Sequence, residues 1–102
     1  MPTYDDALKY LGIDYADELV QANVTRALAA AREVLEGAVG KDVWDLLPDD
    51  HRAAELVLIY LDDLYSDRGV SAKVSGATRR LVATMVLQLQ LDVQAKREAV
   101  RA

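Results

Sequence analysis

The segment from Ala54 to Gly69, AELVLIYLDDLYSDRG, constrains this chain more than any other. Placed on a helix at 100° per residue, its apolar residues fan across roughly 200°, twice the arc of about 100° that a surface helix buries. Leu56, Tyr60, Leu64, Val57, Leu61, Ala54, Tyr65 and Leu58 make up the fan. Glu55, Asp62, Asp63 and Ser66 fill the remaining strip, with Ile59 stranded among them. Such a helix must be covered on several sides. Either it is the central helix of the fold, or part of its cover comes from another subunit.

Four helices are expected around this constraint. Thr3 and Asp6 have the spacing of a capping box, and Tyr4, Ala7, Leu8 and Leu11 then form one face as far as Gly12. Asp14 opens a second helix, with Asp17 and Glu18 in its first turn. Its stripe of Val20, Val24, Ala27, Leu28, Ala31, Leu35 and Ala38 lets a neighbour approach closely, and Gly37 and Gly40 mark its end. Lys41 to Asp50 reads as a connector pinned by Trp44. Pro48 breaks the chain, and Asp49 or Asp50 caps the third helix, which closes at Arg68–Gly69. Gly69 to Gly76, GVSAKVSG, reads as a flexible loop. The fourth helix starts near Ala77 or Thr78 and buries Val82, Met85, Val86, Leu89 and Val93. Leu87 and Leu91 fall on nearly its opposite side. Leu87 to Gln94, LQLQLDVQ, also alternates strictly, so a partner-pairing strand is the competing reading there. The tail AKREAVRA is expected to fray. The expected fold is therefore all-α: one four-helix domain over residues 1–102, with a flexible loop between helices 3 and 4.

Several function classes fall away on composition. There are no cysteines, hence no disulfides and no thiolate metal site, and one histidine, hence no histidine-rich metal site. No apolar run approaches the roughly 18–20 residues of a membrane span, and MPTYDDALKY lacks the basic-then-apolar order of a signal peptide. His51 reads as a solvated residue in a first helical turn. Asp62, Asp63 and Asp67 spell a D-D-x-x-x-D pattern like the magnesium motif of prenyl synthases. This chain is too short for their cavity, and Asp62 and Asp67 project about 140° apart on a helix. An all-helical enzyme would need arginines, lysines and an acid converging in a pocket, and these helix interiors offer few. No cofactor, metal or catalytic residue is expected.

Charge is strongly partitioned. Residues 1–67 hold 15 acids and 5 bases, and residues 68–102 hold 2 acids and 7 bases. The tail bases are diluted by apolar residues, which favours complementarity within or between subunits over a nucleic-acid arm. The alternative is a small prophage regulatory or nucleic-acid-binding protein using Lys73, Arg79, Arg80, Lys96, Arg97 and Arg101.

Four segments in order resemble the head–tail connector (adaptor) proteins of long-tailed bacteriophages and prophages. They are ALKYLGID at Ala7 to Asp14, AREVLEGAVGKDV at Ala31 to Val43, LVLIYLDDLYSDRG at Leu56 to Gly69, and LVATMVLQLQLD at Leu81 to Asp92. One departure is that many relatives carry an arginine after the QL of the last segment, where this chain continues QLQLDVQ. The resemblance implies a structural virion protein at the neck, assembled in the host cytoplasm. It implies a head-to-tail cyclic ring of roughly a dozen copies. That ring would dock on the portal, receive the next neck or tail component, and let DNA pass without specific binding. The candidate subunit or portal contacts are Leu56, Ile59, Tyr60, Asp63, Arg79, Arg80, Leu87 and Leu91.

Overall fold

A computed structural model describes residues 1–65 and 76–101, with side chains from 79 onward in the second stretch. The fold is all-α. Its helices are α1 (Tyr4–Leu11), α2 (Glu18–Val39), α3 (Val43–Leu46), α4 (His51–Tyr65) and α5 (Gly76–Arg101). The expected loop over residues 69–75, the end of the third helix at Arg68–Gly69, and Asp67 and Lys73 lie outside the described residues.

Local chemistry sets most boundaries. The Thr3 hydroxyl accepts from the Asp6 amide (3.1 Å), and the Asp6 carboxylate accepts from the Thr3 amide (2.9 Å), which completes the capping box of α1. Those bonds hold the Asp6 carboxyl below the usual carboxylate range. Gly12 ends α1 at φ 72°, and its N–H returns to the Leu8 and Lys9 carbonyls. The start of α2 corrects the expectation. Asp17, not Asp14, is the cap, and its Oδ1 accepts from the Val20 amide at 2.9 Å. Residues 13–16 thus stay outside the helix. Asp50 caps α4, accepting from the amides of Arg52 (2.9 Å) and Ala53 (3.3 Å). The connector contains the single turn α3, too short to show a helical period.

The most extensive packing is between α2 and α4. Alanines make it close: Ala27 and Ala31 of α2 and Ala53 of α4 are buried beside Val24, Leu35, Leu56, Val57 and Leu61. Helix α4 also touches α1 and α5. Most of its broad apolar fan is therefore covered from within the same chain, while Leu64 near its end is 44% exposed, and α4 shares the centre of the fold with α2.

The alternating stretch LQLQLDVQ is helical, inside α5. Leu89 and Val93 are fully buried, whereas Leu87 and Leu91 are 56% and 58% exposed. The tail does not fray, because α5 continues to Arg101. Arg97 donates from Nε and Nη2 to the two Asp42 carboxylate oxygens (2.7 and 2.5 Å), and Gln90 donates to the Ala38 carbonyl (2.8 Å). These long-range bonds fasten the far half of α5 to α3 and the end of α2. The chain is 49 × 30 × 18 Å. Its shortest dimension is about two helix diameters, and among the described residues Leu87 and Leu91 on the outside of α5 stay exposed.

Candidate functional site

The candidate contact residues separate into three groups. Leu56 is corrected first: it has no exposed surface and belongs to the hydrophobic core. The helical wheel showed a fan too wide for one neighbour but not which sector meets the alanine-rich face of α2. Leu56 lies in that sector and contributes to stability rather than to an interface.

Ile59, Tyr60 and Asp63 of α4 form the second group, together with Arg79, Val82 and Ala83 of α5. They line an open groove of about 310 Å³ between the two helices. The helices run antiparallel, because Arg52 near the start of α4 reaches Gln88 and Asp92 while Asp63 near its end faces Arg79. Burial pushes the Tyr60 hydroxyl above its ordinary value. The mouth is apolar apart from Asp63 and Arg79.

Arg52 fixes the helix pair below the groove. It donates to Asp50 Oδ2 (2.8 Å) and Asp92 Oδ2 (2.5 Å) from Nη2, and to Asp50 Oδ1 from Nε (3.2 Å). Hydrogen bonds from this guanidinium hold the Asp50 carboxyl low, and the same bonds raise the arginine further. At the far end, Arg97 likewise lowers Asp42 and is itself raised. Arg97 thus joins a base of the last third to an acid of the first two-thirds, the sense of the charge partition, whereas Arg52 pairs with Asp50 of its own part and with Asp92.

The third group lies on the outside of α5. Leu87 and Leu91 are more than half exposed, and so is Leu81 (58%). Arg79 and Arg80 are exposed at the start of the same helix. Sequence reasoning singled out Leu87 and Leu91 but missed the exposed Ala95, one turn on from Leu91. The signal was present, since 87, 91 and 95 recur at every fourth position. A second missed patch is Tyr15 (83% exposed) with Leu19 (70%), set among Asp14, Asp17 and Glu18.

His51 is exposed in the first turn of α4, at the edge of a shallow depression with Met1, Pro2 and Asp6. Its neighbour Asp50 is engaged by Arg52, so the two do not form an acid–base pair. Among the described residues no three His, Asp or Glu side chains are placed to share a metal ion. No helix among them is long and apolar enough to cross a membrane. No family model, no curated protein and no solved structure matches the chain. The described residues offer an outer helix face with exposed leucines and, beside it, an open groove between α4 and α5.

Proposed function

We propose that this protein is a structural ring subunit at the head–tail junction of a long-tailed phage particle, where it docks on the portal and extends the DNA channel. The observation that supports this reading is the outer face of α5. The 26-residue helix α5 presents exposed leucines, Leu87 and Leu91, on the side away from its buried Leu89 and Val93, with no partner among the described residues. An exposed contiguous apolar surface of this kind marks a contact site. The resemblance of four ordered segments to connector proteins supplies the assembly in which such a contact is used.

The test is the solution mass by light scattering after size exclusion, at low and high protein concentration, with and without purified portal rings. The expected result is a large closed oligomer that grows in with concentration or forms on the portal, visible as rings by negative-stain microscopy. A monomer under all of these conditions overturns the reading.

The nucleic-acid alternative draws on Arg79, Arg80, Lys96 and Arg101, all exposed on α5. Four phosphate contacts would give a slope of about −3.6 in log K against log salt. A ring that lets DNA slide through predicts no such binding to short duplex DNA at physiological ionic strength. Fluorescence anisotropy across a salt series decides between them.

A further inference from the structure

We infer that residues 88–97 of α5 form a strap across the junction of α2, α3 and α4, and that strap and junction loosen together as ionic strength rises, while α2 stays packed on α4. The inference does not depend on the ring-subunit reading.

The junction has little to hold it from within. Helix α3 is a single turn, Val43–Leu46. Forming one turn fixes several residues for very few hydrogen bonds, so an isolated turn is unfavourable. Its cap residue, Asp42, makes no side-chain bond to the α3 amides. Gly40 stands just before it at φ 120°, where glycine is the residue that meets no steric penalty. Trp44 Nε1 donates to Glu36 (3.0 Å), which ties the turn to α2.

The remaining support comes from α5. Gln90 donates to the Ala38 carbonyl (2.8 Å), one of the last carbonyls of α2, which have no amide ahead of them in the helix. Arg97 takes both carboxylate oxygens of Asp42 and lies over Gly40, where a Cβ would occupy the place of its guanidinium. Asp92 accepts from Arg52 in the first turn of α4 (2.5 Å), beside the Asp50 cap. Leu89 and Val93, between these polar points, are fully buried in the same core as Val39 and Val43. One stretch of α5 therefore reaches the end of α2, the start of α3 and the start of α4. Losing hold at one of these places frees the others, because all of them sit on one rigid helix.

Salt separates this contact from the rest of the fold. The Arg97–Asp42 and Arg52–Asp92 pairs are partly exposed, so added ions screen them. The contact of α2 with α4 is made by alanine, valine and leucine and has no charge to screen.

The test is hydrogen exchange of the whole chain, followed residue by residue by NMR. The reporters are the amides of Asp45, Leu46 and Leu47, which bond to the Asp42 and Val43 carbonyls. The reference amides are those of Val24, Ala27 and Ala31 in α2. Arg97→Gln should speed the reporters about three- to tenfold and leave the reference unchanged. Asp92→Asn is the sharper variant. Its partner Arg52 lies on α4, so a merely local pair would leave α3 unmoved, whereas the strap speeds the α3 reporters together with the amides of Leu89 and Val93. Raising salt from about 0.1 M to about 1 M should speed the same amides in the parent, and by less in Arg97→Gln. Arg80→Gln, exposed near the start of α5, should change nothing. Arg97 and Asp92 are partly exposed as well, so all three variants fold, which circular dichroism checks. Unchanged α3 reporters in Asp92→Asn overturn the coupling. Reporters insensitive to salt overturn the ionic hold, and reporters exchanging at unfolded-chain rates in the parent overturn the strap. Equal acceleration of the α2 reference means that the chain opens only as one unit, which overturns the separate loosening.

Discussion

Substituting alanine in turn for Leu87, Leu89 and Leu91 separates the outer face of α5 from its inner face. Were this alternating stretch a strand, the three leucines would share one side and cost the same on truncation. On the helix, Leu89 points about 160–200° away from the other two. Leu89 has no exposed surface, and Leu87 and Leu91 are more than half exposed. A buried Leu→Ala change typically costs 2–5 kcal/mol from lost transfer energy and the cavity left behind. Here about 3 kcal/mol is expected, because α5 packs on the core from one side and its neighbours can relax. For a domain of this size that corresponds to a fall in Tm of about 10–20 °C. With a urea slope of about 2 kcal/mol per M, the midpoint falls by about 1.5 M. Leu87→Ala and Leu91→Ala should stay within about 0.5 kcal/mol of the parent in dilute protein. Urea titration followed by the fluorescence of Trp44, the only tryptophan, measures all three. Equal costs at the three positions, or a Leu91 cost matching Leu89 in dilute protein, would refute the packing described for α5.

Three further outcomes follow from the geometry. Gly40 sits at φ 120°, and a Cβ there would collide with the Arg97 guanidinium, so Gly40→Ala should cost about 2 kcal/mol; the cost should be smaller in an Arg97→Ala background, and strict additivity would contradict the contact. Asp42 and Asp50 have folded-state values below their unfolded ones, so their contribution is fully present above about pH 4 and is lost as pH falls through the lowered values. The urea midpoint should be level near neutrality and decline on acidification, with a shallower decline in Asp50→Asn. The Tyr4 hydroxyl is buried without a hydrogen-bond partner among the described residues, so Tyr4→Phe should be neutral or stabilising by about 1 kcal/mol; a loss of that size would reveal a partner.

Helix caps were the most legible part of this chain because their chemistry is local. The Thr3–Asp6 pair and the Gly12 stop lie within a turn of the backbone they satisfy. Asp14 and Asp17 illustrate the limit. Both are good caps three residues apart, and the bond from Asp17 to Val20 decides between them. The alternation at 87–94 is ambiguous in isolation, and the packing of Leu89 and Val93 settles it. The order of the tail was illegible for a different reason. Asp42 and Arg97 are 55 positions apart, and no window along the chain contains both. The broad fan of α4 was read correctly as needing several neighbours. Which neighbours, and hence the fate of Leu56, depended on the alanines of α2. The apolar character of Leu87 and Leu91 was visible, while their exposure required knowing that α5 is one helix that turns Leu89 and Val93 to the core.

The buried hydrophobic residues described are all alanine, valine or leucine, with no polar side chain among them. An interior of this kind accepts exchanges that keep its volume, since no internal hydrogen bond has to be preserved. Mutational drift can therefore rewrite most of the interior letters while the helix arrangement persists. The positions that resist substitution are few and lie at the periphery: Gly12 and Gly40 for their backbone angles, Asp17 and Asp50 for their caps, and Arg52 for the three acceptors it reaches. Descendants of such a chain would keep its shape and these five residues long after the rest of the sequence had ceased to resemble it.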